Sequence, residues 1–478
     1  MIPLVTPEEM GAADARTIAA GTLESVLMTR AGGAVAWTVR RVLGGTYGRR
    51  VVVLCGTGNN GGDGRIAAAA LRAWGAHVDV VEVRAPVDAR TPHVFARADV
   101  IVDAMYGTGF RGVLGGAAAE LVARTETADA TVVAVDIPSG VEGLTGAVRG
   151  PAVCADHTVT FAAPKPGLWF HPGRALAGVV TVVDIGIDLG PEAARTVIVE
   201  AADVAGWVPR RSATTHKWRA GVLVVGGSNG MTGAPMLVGR AALRLGAGIV
   251  WAALPGRCAE RGSGTEIITH ALPDADAGVL TMDGADEVLA IADRFGAVVL
   301  GPGLGRDDAT TAAVRKLVRD LDHPLVLDAD ALHALSGIGD GDALVRERAA
   351  PTILTPHDGE FAQVTGAAPG DDRIDAARGL AARTESVVLL KGPTTVVAAP
   401  DGRVRVNPTG GPSLATAGSG DVLAGMIGAF CAQGMKVFDA AAAASFVHGR
   451  AADHAGHTGL IAGDLPAMAA AALRQILE

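Results

Sequence analysis

The sequence predicts an α/β protein with two domains. Short β-branched runs alternate with Ala-rich helical stretches, the alternation breaks once near the middle, and the chain is too long for one core. It has 478 residues, and roughly 100–200 residues make a domain, so two domains are the most economical division. Hydrophobic residues at 49% and charged residues at 19% supply sizeable cores and exclude a disordered or fibrous chain. With 65 glycines but only 4% aromatics, the expectation is many tight βα turns around cores of Ala, Val, Leu and Ile.

Taken in order, the stretch 7–45 reads as two helices, the first opened by Thr6 with Glu9 three residues on, a capping-box pattern. Segments 51–55, 77–83, 100–105, 131–137 and 157–161 read as strands, 179–185 as a further candidate, and 64–75 and 117–125 as helices between them. Such alternation indicates a mostly parallel sheet covered by helices. Pro, paired arginines, Ser and Thr replace the apolar periodicity over 207–221, which places the domain boundary near residue 210 and divides the chain into 1–210 and 211–478. Beyond it, 222–226, 248–253, 297–301, 324–328, 352–355, 386–391 and 395–399 read as strands. Helical stretches lie at 234–246, 310–321, 359–365, 374–384, 419–433 and 437–455, and no fixed-period repeat is visible.

The charge balance, 41 basic against 50 acidic residues, gives −9 and excludes a broad nucleic-acid or anionic-membrane surface while leaving room for a local phosphate site. Only Lys165, Lys217, Lys316, Lys391 and Lys436 are lysines, so each invites individual scrutiny. Cys55, Cys154, Cys258 and Cys431 are far apart and form no CxxC pair, which argues against a zinc site or a disulfide framework. Arginines and acids interrupt every apolar run before it reaches transmembrane length. The first residues lack the basic and apolar segments of a secretory signal, so a cytoplasmic location is expected.

In the first half, Gly56-Thr57-Gly58-Asn59-Asn60-Gly61-Gly62-Asp63-Gly64 follows a strand and precedes a helix. Amides at such a helix start receive anions, and Gly56, Gly58 and Gly61 satisfy the dinucleotide fingerprint with Glu82 where a ribose-binding acid belongs. A Rossmann dehydrogenase is one reading and a purely structural βα turn another. Asn59, Asn60 and Asp63 add side-chain oxygens beyond the needs of a hydride-transfer cofactor. Asp103, in VDAMYGTGF, and Asp136, in DIPSG with Ser139, end two further strands. Strand C-termini converge in an open parallel sheet, so Asn60, Asp103 and Ser139 could hold a monovalent cation while Asp136 exchanges a proton with substrate. Taken singly, each acid also reads as a helix cap.

These motifs, with LMTRAGGAVA upstream and FAAPKPGLW downstream, resemble the NAD(P)H-hydrate epimerase domain, the N-terminal YjeF family, over most of 1–208. The resemblance implies a Rossmann-like sheet. It also implies substrate contacts from Asn59, Asn60, Gly61, Gly62, Asp63, Gly107, Thr108, Gly109, Phe110, Arg111, Gly112 and Asp136, and potassium ligands from Asn60, Asp103 and Ser139. Some relatives carry lysine where Arg111 stands. Arginine stabilises charge but does not readily release a proton, so the proton-transfer role falls to Asp136.

In the second half, Thr416-Ala417-Gly418-Ser419-Gly420-Asp421 precedes an apolar helix. Its amides can face a transferring phosphoryl group, with Asp421 as general base. No GxxxxGK[ST] occurs, which disfavours a P-loop NTPase. VVGGS, GPGLG, LDADAL with Asp328 and Asp330, TPHDGE with His357, and KGPTT with Lys391 fall at other βα turns and favour a nucleotide site. His448, His454 and His457 read as a solvated helix end rather than a metal site, and Trp169 and Trp251 as packing residues.

These segments resemble the ADP-dependent NAD(P)H-hydrate dehydratase, the carbohydrate-kinase-like C-terminal YjeF family, over about 212–478. That resemblance implies a ribokinase-like fold. Lys391, Gly392, Pro393, Thr394, Thr395 and Gly420 would bind the adenine nucleotide, and Ala234, Gly303, His357 and Asp421 would contact the hydrated nicotinamide. Trp218, where many relatives have glycine, departs from the pattern. The combined expectation is a repair enzyme for hydrated NADH and NADPH (NADHX and NADPHX). It would epimerise R and S forms, then dehydrate the S form with ADP as co-substrate, with K+ in the first domain, Mg2+ with the nucleotide, and a homo-oligomeric assembly. A ribokinase-like small-molecule kinase fused to a dinucleotide-binding module, a cofactor sensor regulating the second domain, and a dehydrogenase are the alternatives.

Overall fold

The computed structural model describes residues 1–84, 87, 91–259, 266–274, 278–336, 341–455 and 458–478, without the Arg257 side chain. It divides into two compact units, Ile2–Thr196 and Val197–Glu478 with Met1. The composition break at 207–221 thus lies inside the second unit rather than between the two. The reason is packing: the helix Ala201–Trp207 buries Val204 in the core formed with Val437–Asp453 and Leu465–Leu477, and the Pro- and Arg-rich stretch after it is a loop of that unit.

In the first unit the strands lie in the order His77–Glu82, Arg50–Cys55, Val100–Ala104, Thr131–Val135, His157–Phe161 and Val179–Val183, every neighbour parallel. Alternate residues of each strand face opposite sides. Val51, Val53 and Cys55 meet the helices Glu24–Leu43 and Asn59–Ala73, whereas Val52 and Leu54 meet Gly116–Thr127. Burial on both faces explains why these strands read as unbroken apolar runs. The Thr6 capping box forms as the sequence implies. The helix expected from 64 begins at Asn59 instead, because glycine lets it press against the sheet: a Cβ on Gly64 would stand 2.6 Å from the Ala104 Cβ. The chain steps outward from Arg50–Cys55 and returns on its other side at Val100–Ala104, opening a crevice at the strand C-termini.

In the second unit the order is Val404–Val406, Val396–Ala398, Val387–Leu390, Thr352–Leu354, Leu325–Leu327, Ala297–Leu300, Gly221–Val225, Ile249–Pro255 and Ile268–Leu272. The first two pairings are antiparallel and the rest parallel. Helix Ser419–Ala432 lies in the core, buried from Val422 through Ala432, against Val222, Val224 and Val299. The order reverses between Gly221–Val225 and Ala297–Leu300, giving this unit its own crevice. Ile268–Leu272 escapes the sequence reading because it is a half-exposed edge strand without clean alternation, and Val404–Val406 because Arg405 interrupts its short apolar run.

Candidate active sites

The first crevice is a cavity of about 540 Å³ lined by Asn59, Asn60, Asp63, Gly107, Thr108, Gly109, Phe110, Asp136 and Lys165, among others. Asp136 follows strand Thr131–Val135 with φ 67°, a strained conformation for a non-glycine residue and one that clusters at functional sites. Its Oδ1 accepts from Lys165 Nζ at 2.7 Å and Thr160 Oγ1 at 3.1 Å, and its Oδ2 from the Thr108 amide at 3.3 Å. Burial favours the neutral acid, but Lys165 and these hydrogen bonds outweigh it and hold the carboxyl below its ordinary value.

Asp63, on the first turns of helix Asn59–Ala73, behaves oppositely. Burial, reinforced by Asp136 and Asp14, pushes its carboxyl up to about 7, and its Oδ1 has no hydrogen-bond partner among the described residues. Gly61 and Gly62 face inward: a Cβ on Gly61 would meet the Gly56 carbonyl at 1.9 Å, and one on Gly62 the Met28 Cε at 2.2 Å. Arg111 is exposed, and the Gly112 amide donates to Glu142 Oε1 at 3.4 Å.

Asp103 is fully buried. It accepts from the Ser139 hydroxyl at 2.7 Å, the Ser139 amide at 2.8 Å and the Met105 amide at 3.2 Å, none of them a cation. Burial raises its carboxyl to about 6 against those hydrogen bonds. A buried carboxylate lacking a counter-charge, beside the Ser139 hydroxyl, is the oxygen-donor chemistry that a potassium ion fits. Asn60 approaches the same loop, since a Cβ on Gly107 would be 3.4 Å from both its Oδ1 and Asp136 Oδ2.

In the second unit the predicted segments lie at consecutive strand ends. Lys391, after Val387–Leu390, donates to Asp328 Oδ1 at 2.9 Å and lies 3.4 Å from Glu360 Oε2. Burial opposes its charge, but Asp328 and Glu360 outweigh burial and raise its pKa. A Cβ on Gly420 would stand 3.5 Å from Lys391 Nζ, which puts the ammonium beside the helix start bearing Asp421. Burial, with the Asp328 charge adding, pushes Asp421 up to about 7. Gly303, at φ 70°, packs beside Ala234, their closest approach being 3.3 Å for a Cβ built on the glycine. His357 caps helix Asp358–Thr365, its Nδ1 accepting from the amides of Gly359 and Glu360, and its ring is exposed. Thr394 is buried, whereas Gly392 and Pro393 are exposed and Thr395 is half-buried.

Two functional neighbours escaped the sequence. Lys165 had a signal, one of five lysines in an otherwise apolar FAAPKPGLW, where a buried ammonium demands a carboxylate. His448 corrects the reading of a solvated helix end. It is buried, donates to the Ser419 backbone carbonyl, and is lowered by burial to about 4, with Nε2 unpartnered among the described residues. His454 is exposed, and His457 lies outside the described residues. Glu82 is engaged by Arg65 at 2.5 and 3.2 Å, which leaves the ribose-binding reading without a free acid.

The YjeF-related protein N-terminus profile matches 24–94 and 84–167, and the NAD(P)H-hydrate dehydratase profile matches 222–475. The bifunctional NAD(P)H-hydrate repair enzyme Nnr of Moorella thermoacetica is 40% identical, covering 97% of this chain and 95% of its own. The chain belongs to the bifunctional NAD(P)H-hydrate repair enzymes. Its Escherichia coli namesake is 35% identical over 92% of this chain and 87% of its own. Among solved structures, an ADP/ATP-dependent NAD(P)H-hydrate dehydratase from Bacillus subtilis, co-crystallised with ATP/Mg2+, matches with TM-score 0.50 and 29% identity, covering 58% of this chain and 98% of that one. A ribokinase-like superfamily protein from Enterococcus faecalis, TM-score 0.51 at 18% identity over 59% of this chain and 96% of that one, shares the fold, so the second unit of this repair enzyme is ribokinase-like.

The raised Asp63 carboxyl has a consequence for stability. Its folded value, about 7, lies above the ordinary 3.8, so ionising it costs stability as pH rises between those values. Asp63→Asn removes that cost, and its stability advantage over the parent in ligand-free urea denaturation should widen by about 2 kcal/mol between about pH 5 and pH 8. An advantage that does not change with pH contradicts the burial argument.

Proposed function

We propose that each unit carries one reaction on hydrated NADH and NADPH: the first interconverts R and S hydrates, and the second dehydrates the S form with ADP. What carries this reading is the pair of separate carboxylate-bearing crevices, one at the switch point of each sheet, in a chain similar to bifunctional repair enzymes along nearly its whole length.

The hydrate bears its hydroxyl on a carbon bonded to the ring nitrogen. Asp136, held ionised, takes the hydroxyl proton; the C–N bond opens to an aldehyde, and the ring nitrogen receives the proton. Rotation and reclosure on the other face give the epimer, with the proton returned by the same route. Asn59, Asn60, Asp63, Thr108 and Phe110 line the space for the nicotinamide nucleotide. Asn60, Asp103 and Ser139 would hold potassium, which would supply a positive charge at the cavity wall.

In the second unit, Asp421 takes the hydroxyl proton as that oxygen attacks the terminal phosphorus of ADP and AMP departs. The new O–P bond makes the oxygen part of a phosphate leaving group, and the original C–O bond then breaks as a neighbouring C–H loses its proton, restoring the double bond. The products are reduced nucleotide, AMP and phosphate. A base raised to about 7 is matched to this task near neutral pH. The Gly418, Ser419 and Gly420 amides face the transferring group, and Lys391 with Thr394 and Thr395 faces the nucleotide phosphates. Mg2+ would ride on those phosphates, since among the described residues no group of 3 or more His, Cys, Asp or Glu side chains is placed to hold a metal. Ala234, Gly303 and His357 border the hydrate. No helix among the described residues is long and apolar enough to cross a membrane. We assign the enzyme to the cytoplasm as a homo-oligomer, which sedimentation of the full chain tests.

Mixed R and S NADH hydrates incubated with the protein and ADP should recover absorbance in the reduced-nicotinamide band; no recovery with any nucleotide sinks the dehydratase assignment. Asp421→Asn should abolish recovery while R and S still interconvert, and the parent's recovery rate should rise with pH through about 7 as Asp421 ionises. Asp136→Asn should leave rapid repair of the S form alone, and R consumption beyond the spontaneous rate would refute its role.

A further inference from the structure

The Lys165 side chain is 2% exposed. Its ammonium donates to Asp136 Oδ1 at 2.7 Å, Thr160 Oγ1 at 2.9 Å and the Phe161 carbonyl at 3.0 Å. An ammonium has three donors, and all three are used, so none remains to give the substrate a proton. Thr160 in turn donates to Asp136 Oδ1 at 3.1 Å, so that oxygen is held by two donors. Among the described residues Oδ2 accepts only the longer Thr108 amide bond, and it faces Gly107 on the cavity wall.

The lysine begins the tight turn Pro166–Leu168, where a Cβ on Gly167 would meet the Glu142 carbonyl at 2.4 Å, so its backbone has little room to move. The charged and titratable groups acting on this centre are Asp136 itself, Asp63 from helix Asn59–Ala73, Asp14 from helix Pro7–Ala19, Glu24 from helix Glu24–Leu43, and Lys165. Among the described residues, Lys165 is the one cation acting on Asp136 and Asp14.

We propose that Lys165 is a positioning residue of the epimerase: it keeps Asp136 ionised and, by engaging Oδ1 with Thr160, leaves Oδ2 as the oxygen presented to the substrate. This rests on the reading of the cavity as the epimerase site, and it adds a division of labour between the two oxygens of one carboxylate.

The test uses the full chain with potassium held constant and compares the parent with Lys165→Met and Lys165→Arg. The R-to-S interconversion rate is followed chromatographically without ADP from about pH 5 to pH 9. The parent rate should not fall toward the acid end through loss of the Asp136 carboxylate. In Lys165→Met, burial and the two neighbouring carboxyls are opposed only by the Thr160 and Thr108 hydrogen bonds, with no cation. An acid limb should enter above about pH 6, with kcat down about 100-fold at pH 6, KM little changed, and most of the loss regained by pH 9. A loss of the same factor at every pH, or a rate within about threefold of the parent at pH 6, overturns the proposal. Should Lys165→Met fail to fold, Lys165→Arg decides. It keeps the cation, so its profile should stay like the parent's, and an acid limb above about pH 6 overturns the proposal.

A second readout needs no substrate. With selectively labelled aspartate, the Asp136 carboxyl, assigned by comparison with Asp136→Asn, should titrate at least one pH unit higher in Lys165→Met than in the parent, and an unchanged midpoint overturns the proposal. An inactive parent whose Asp136 titration still shifts would refute the epimerase reading and leave the Lys165–Asp136 coupling standing.

Discussion

A lysine buried against an aspartate organises each crevice, and the demands of that pair explain much of what surrounds it. Taking an ammonium and a carboxylate out of water costs several kcal/mol per ion, recovered only when the remaining donors and acceptors are satisfied. Around Lys165 the satisfaction is complete within the protein, through Asp136, Thr160 and the Phe161 carbonyl. Around Lys391 it is not: the ammonium has Asp328 and a longer contact to Glu360, and its side chain is 19% exposed. Among the described residues the first lysine is fully committed to protein partners, whereas the second is the one with capacity for the nucleotide phosphate the proposed function requires.

The two assigned bases differ in the same sense. Asp136 is held below its ordinary value by an adjacent cation, and Asp421 is raised to about 7 by burial and by the Asp328 charge, because Lys391 is shared with Asp328 and Glu360. A permanently ionised carboxylate suits a reaction whose forward and reverse halves are alike. A base raised toward neutrality suits a step in which a hydroxyl must lose its proton as it attacks phosphorus. One residue type thus serves two chemistries through its neighbours.

The parts of this arrangement legible in the sequence are those with a local signal. The strands are apolar runs because both sheet faces are covered, and Asp136, Lys391 and the glycine turns follow them because parallel strands present their C-termini to ligands, whereas Asp421 is marked by the glycine-rich start of an apolar helix. The illegible parts depend on tertiary neighbours. Nothing within FAAPKPGLW names Asp136 as the partner of Lys165, 29 residues away. His448 looked solvated because three histidines near a helix end suggest a polar tip, yet its ring is buried and donates to the Ser419 backbone carbonyl. The Pro- and Arg-rich break near 210 looked like a linker because composition reports a loop without reporting which core the preceding helix joins.

The dinucleotide-like fingerprint shows how one motif can be satisfied for different physical reasons at each glycine. A Cβ on Gly56 would meet the Met105 carbonyl at 1.9 Å, and one on Gly61 the Gly56 carbonyl at the same distance, so both are required by backbone packing against backbone. Gly58 has open space around it, caps the helix at Asn59 and lines the cavity. It alone of the three is free of such steric demand and available to a ligand. Because the helix starts at once, Asn59, Asn60 and Asp63 occupy its first turns and replace bare amides with side-chain oxygens and nitrogens at the cavity wall. That exchange, together with Glu82 being tied to Arg65, turns a loop with dehydrogenase spacing into one that sets side-chain oxygens and nitrogens beside the Asp136 carboxylate in one cavity, as the proposed epimerase reaction requires.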